Sequence, residues 1–156
     1  MFLGFGIATV FIPLAALVLC GIGTPEALKT PARAAPYWGV AAALSALVAV
    51  AAGAYLAHGS MSAAALSIPE TAARYQLTHS LALLATALLA GIQRDKTEKA
   101  LTVAGWAFAF GMLFFCGTLY LQAGGITAVS GLAPLGGLLL MLGWLAFAVS
   151  LWRRLK

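Results

Sequence analysis

Hydrophobic residues in this chain neither alternate nor recur as a narrow stripe; they come in long, nearly unbroken runs. Phe2 to Gly23, Tyr37 to Ala57, Ala100 to Leu121 and Leu132 to Trp152 contain no Asp, Glu, Lys or Arg, and Arg74 to Ile92 carries its one charge at its first residue. A bilayer core is crossed by about 20 helical residues, because only a helix satisfies its own backbone polar groups there. The pattern therefore predicts an all-α integral membrane protein, a bundle of five transmembrane helices. A composition of 63% apolar and 8% charged residues over 156 positions leaves no soluble alternative.

The connectors divide the chain into an N-terminal helix at 1–23, a proline-rich connector at 24–36 and a four-helix domain at 37–156. Pro25, Pro31 and Pro36, mixed with Glu26, Lys29 and Arg33, break helices and hold water. Gln93 to Lys99 is a short charged turn, and Gln122 to Gly131 is glycine-rich and uncharged, with Pro134 just inside the last helix. Alternating five spans puts Lys29, Arg33, Arg94, Lys96, Lys99, Arg153, Arg154 and Lys156 on one side and Arg74 alone at the other. The positive-inside bias makes the basic side cytoplasmic, so the N-terminus is expected outside and the C-terminus inside. A bacterial inner membrane is the expected location, with the mitochondrial inner membrane as the alternative. The formal charge of +5 then reads as contact with anionic headgroups on the inner face, not as nucleic-acid binding. The first run lacks a basic n-region and exceeds a signal core in length, so it is read as a span and not as a cleaved leader.

Small residues mark the expected packing surfaces. The second run, with Ala46 and Gly53 among many alanines, is expected near the centre of the bundle, since close backbone approach drives helix association in lipid. Gly105, Ala109, Met112 and Cys116 share one face of the fourth run, and Gly136, Gly137 and Gly143 lie in the fifth. Pro13 predicts a kink in the first run. Cys20 and Cys116 fall about 24 Å apart in depth, too far for a disulfide within the chain.

Candidate chemistry gathers at the outer side. Ser67-Ile68-Pro69-Glu70 has the form of a capping box, with Ser67 as N-cap and Glu70 placed to pair with Arg74 one turn later. Thr71, Tyr75, Thr78, His79, Ala82 and Thr86 then share an arc of the following helix. Short connections bring His58 and the fourth helix's Thr118, Tyr120 and Gln122 to the same end, so a cluster of His58, Arg74, Tyr75, Gln76, His79, Tyr120 and Gln122 is expected. Two histidines could ligate haem or a metal or shuttle protons. Against this, metal-ligand spacing is missing and both histidines are expected near an interface where hydrogen bonding suffices, so His58 and His79 are only candidate cofactor residues. No cofactor or metal is predicted. No Ser or Cys has a base and an orienting acid beside it, and there is no phosphate loop or dinucleotide fingerprint, which argues against an enzyme.

Several pieces in a fixed order carry a resemblance. They are Gly53-Ala54 before Ala57-His58-Gly59, Tyr75-Gln76 with His79 and Leu81 to Leu84, Phe115 to Gly117 with Leu119-Tyr120, then Pro134, Gly136-Gly137 and Gly143-Trp144. From residue 37 to 152 the chain resembles the small membrane proteins called domain of unknown function 423, related to transmembrane protein 256. The resemblance implies a four-helix membrane domain of unassigned activity, with His58, Tyr75, Gln76, His79 and Tyr120 among its recurrent positions. Residues 1 to about 36 are additional to that unit. The function expected is a small structural or accessory subunit that packs against a larger membrane complex, respiratory or otherwise energy-transducing, or that oligomerises. The alternatives are a small-solute transporter or channel and a haem- or quinone-binding redox protein.

Overall fold

The computed structural model describes residues 31–60, 62–92 and 99–155, and the expected span Phe2 to Gly23 lies outside them. Among the described residues four helices are long and apolar enough to cross a membrane: α1 (Pro31–His58), α2 (Ala63–Ile92), α3 (Lys99–Ala123) and α4 (Leu132–Arg154). Among the described residues there is no strand. The protein is an all-helical multi-pass membrane protein, and its apolar runs need no amphipathic stripe because lipid covers what protein does not.

Two boundaries differ from the sequence reading. The connector's second half is helical, since α1 begins at Pro31 and contains Pro36. Pro31 stands at the first helical position, where the missing N–H would be unpaired anyway, and Pro36 removes only one bond near that end. The capping box at Ser67 is not used. Helix α2 starts a full turn earlier, where Ser62 accepts from the Ala65 and Leu66 amides through its carbonyl at 3.0 and 3.1 Å, and from Ala65 through its hydroxyl at 3.4 Å. Ser67 lies inside the helix and donates to the Ala64 carbonyl at 3.0 Å. Glu70 and Arg74 are both exposed, and no ion pair joins them among the described residues.

At the same end of the bundle as Ser62, α3 stops in a Schellman turn: Ile126 N–H reaches the Leu121 carbonyl and Gly125 N–H the Gln122 carbonyl, both at 2.9 Å. Gly125 takes φ +87°, the left-handed conformation this turn demands of its C′ residue.

Helices α1 and α2 form one antiparallel hairpin and α3 and α4 another, and the two join chiefly through α2 and α3. The centre is therefore α2 and α3, whereas α1, expected there for its alanines, flanks them and leaves Val40, Leu47, Val50 and Tyr55 exposed. Trp38, Leu83, Leu101, Phe108, Met112 and Leu140 anchor the main core. The antiparallel pairings and a parallel α1–α3 contact, Trp38 against Gly105, set Arg33, Lys99, Arg153 and Arg154 at one end of the bundle.

Glycines set how closely α3 approaches its neighbours. A Cβ on Gly105 would fall inside the Trp38 ring, and one on Gly143 would meet the Phe108 ring at 2.7 Å. At Gly136 it would collide with the backbone of Phe114 and Phe115. Gly137 has only ordinary contact at 3.7 Å, and Gly53 faces open space. Ala109 is buried at the core and Ala46 is half-buried.

Candidate functional site

Several of the buried polar groups stand at one level. Ser45 sits midway along α1, Gln76, His79 and Ser80 midway along α2, and Met112 midway along α3. With α2 beginning at Ala63, His79 lies 13 residues from the nearer end of its helix, about 20 Å along the axis. The expectation that His79 stands near an interface followed from starting the span at Arg74, and the longer helix moves it to mid-depth.

Three helices meet through this layer. Gln76 Nε2 donates to Ser45 Oγ at 3.2 Å, and Ser45 Oγ in turn lies 3.7 Å from Met112 Sδ. Ser80 Oγ reaches the same sulfur at 3.6 Å and donates to its own helix at the Gln76 carbonyl, 2.7 Å away. Gln76, Ser45 and Ser80 are all 1% exposed or less. Gln76 Oε1 has no hydrogen-bond partner among the described residues. Lower on α2, Thr86 is fully buried and returns its hydroxyl to the Ala82 carbonyl at 2.8 Å.

His79 belongs to a neighbouring aromatic cluster. Its Nδ1 lies 2.6 Å from the Tyr75 carbonyl, and since a carbonyl only accepts, Nδ1 carries the proton. Tyr75 stacks on the imidazole at 5.7 Å and 19°, Phe108 stands 6.1 Å away at 51°, and Trp144 of α4 presents its edge at 6.1 Å. Tyr75 also touches Phe115 at 4.9 Å, and Phe108 meets Trp144 at 5.3 Å. His79 is buried, while Tyr75 and Trp144 are each 44% exposed.

The expected cluster thus divides. Tyr75, Gln76 and His79 are together, on two sides of α2. His58 is exposed at the end of α1, 13 residues beyond Ser45 and about 20 Å from the polar layer along the axis. Arg74 and Thr78 are exposed, Gln122 is half-buried at the end of α3, and Tyr120 packs with Ala72, Ala73 and Cys116 in a second small core. Cys116 is a free, buried thiol, and Cys20 lies outside the described residues. Among the described residues no group of three or more His, Cys, Asp and Glu is placed to hold a metal ion. Ser45 and Ser80 were not anticipated. The signal was there for Ser45, the one hydroxyl in the apolar run Tyr37 to Ala57 outside its Tyr residues, because a polar group within lipid must find a partner.

Comparison with known proteins places this helical unit. A family model described as protein of unknown function (DUF423) matches residues 49–137, more than half of the chain. The chain belongs to this family. A UPF0382 membrane protein of Staphylococcus saprophyticus is 38% identical over 112 residues, covering 69% of this chain and 90% of the relative. One from Haemophilus influenzae is 38% identical over 110 residues, covering 68% and 86%, and YwdK of Bacillus subtilis is 33% identical over 114 residues, covering 69% and 89%. No solved structure matches. DUF423 proteins are an uncharacterised membrane family, so activity has to be argued from the side chains themselves.

Proposed function

We propose that this DUF423 protein is a small structural or accessory membrane subunit, one that packs against a larger complex of the bacterial inner membrane, respiratory or otherwise energy-transducing, or against copies of itself. The observation that carries the reading is how the mid-depth polar groups are used. Ser45, Gln76, Ser80 and Met112 bond to one another across α1, α2 and α3, so their polarity joins helices to helices. A solute pathway would need such groups turned toward a wet cavity. Meanwhile α4 leaves Leu138, Met141, Leu145 and Trp152 more than 60% exposed, an apolar wall fit for lipid or for another subunit's helix.

In this reading Phe2 to Gly23 is a fifth span, the N-terminus is outside, and the end bearing Arg33, Lys99, Arg153 and Arg154 faces the cytoplasm and its anionic headgroups. The test is native mass spectrometry of the protein extracted from its own membrane in mild detergent. Reproducible co-migration with a larger assembly, or a defined homo-oligomer, is expected. Migration as a bare monomer under conditions that preserve other complexes of that membrane would overturn the reading.

A further inference from the structure

The polar layer absorbs the side chains of Ser45 and Ser80 but not the outer nitrogen of His79. In the neutral ring, protonation of Nδ1 toward the Tyr75 carbonyl makes Nε2 an acceptor, and no donor reaches it among the described residues. Because Nδ1 is turned back onto its own helix, Nε2 is the ring atom directed away from the α2 backbone. An acceptor left unpaired in hydrocarbon is costly, so a donor is needed. Its source is constrained by depth. A headgroup would have to reach about 15 Å into the hydrocarbon to meet a residue midway along α2, and acyl chains have no donor to offer.

What remains is a molecule that resides in the hydrocarbon and carries a hydroxyl. The surroundings favour a flat one. Tyr75 and Trp144, both half-exposed, lie 5.7 and 6.1 Å from the imidazole and the buried Phe108 lies 6.1 Å from it, so an approaching ring finds aromatic faces and edges at stacking distances. We propose that His79, Tyr75 and Trp144 form a membrane-facing site for a lipid-soluble hydroquinone-type ring, whose phenolic hydroxyl donates to His79 Nε2. The site binds; no electron transfer is invoked. The proposal is independent of whether the chain assembles with other subunits.

The chain has only two histidines, which makes nitrogen NMR of the imidazoles decisive. Protein labelled with ¹⁵N in its histidine rings and reconstituted in lipid nanodiscs is titrated anaerobically with a hydroquinone bearing a ten-carbon tail, then with the corresponding quinone, which has no hydroxyl. The expected result is a saturable movement of the His79 Nε2 resonance with the hydroquinone, no movement at His58, and about tenfold weaker binding of the quinone. His79→Phe, which keeps a ring beside Tyr75 and Trp144, is expected to bind both forms with equal, weak affinity. An Nε2 resonance unmoved by ligand, as a resident water would leave it, overturns the proposal. So does equal response to both redox forms, or a His79→Phe protein that still prefers the hydroquinone.

Discussion

At the scale of single residues, the glycines separate into those that hold helices together and those that do not. Gly136 sits against the Phe114–Phe115 backbone, which cannot rotate aside as a side chain can. Gly136→Ala is therefore expected to destabilise the bundle by about 1–3 kcal/mol, the usual cost of overpacking. Gly137→Ala, with ordinary contact only, should stay within about 0.5 kcal/mol of the parent. Gly53→Ala meets open space in mid-helix and should be neutral or stabilising by up to about 1 kcal/mol through helix propensity. Thermal unfolding of the three variants in one detergent checks the order. The glycine content of the last run was legible in the sequence, but the difference between neighbours Gly136 and Gly137 was not. It depends on the azimuth at which α4 meets α3, and composition carries no azimuth.

Single helices show where local signals mislead. Ser67-x-x-Glu70 satisfies the capping pattern, yet Ser62 opens α2, because the apolar positions Ala63 to Leu66 can extend the helix and a membrane rewards every backbone group paired internally. Hydrogen exchange at the Ala65 and Leu66 amides tests this: Ser62→Ala should speed it severalfold, as expected for loss of about 1 kcal/mol of capping, and Ser67→Ala should leave it unchanged. The same shift in helix start explains why the sequence reading set His79 near an interface whereas it lies midway along α2. Its place along the helix depends on where α2 starts, and that start moved eleven residues, from Arg74 to Ala63.

The polar layer also makes a prediction about how α1 is held to α2. Ser45→Ala removes the acceptor of Gln76 Nε2 and leaves a fully buried amide with neither end bonded. Gln76→Met replaces that amide by an apolar chain of similar length. Interhelical hydrogen bonds in membranes average about 0.6 kcal/mol, so the double-mutant cycle should give a coupling of about 0.5–1.5 kcal/mol, with Ser45→Ala costing less when Gln76 is already Met. Reversible unfolding in mixed micelles measures all four corners. A coupling near zero would mean that packing against Met112, and not the hydrogen bond, fixes the α1–α2 register.

For the whole molecule, architecture turns on which way the bundle faces and how many times the chain crosses. The family, the helical class and the order of the four family helices were legible because long apolar runs and ordered short motifs survive without knowledge of packing. Orientation rests on charge: Arg33, Lys99, Arg153 and Arg154 share an end, and the opposite end has the uncharged turn at 124–131. With Cys20 and Cys116 replaced by Ala, single cysteines at Ser60, Thr127 or Leu155 report each end, since all three positions are exposed and lie outside the helices. In intact cells an impermeant maleimide is expected to label Ser60→Cys and Thr127→Cys, and to label Leu155→Cys only after the membrane is opened. A peptide tag placed ahead of Met1 then counts the spans. If Phe2 to Gly23 crosses, the tag shares the accessibility of Thr127; if it does not, the tag follows Leu155. Only the first outcome lets a fifth helix lie beside the four family helices with Lys29 and Arg33 still on the basic side.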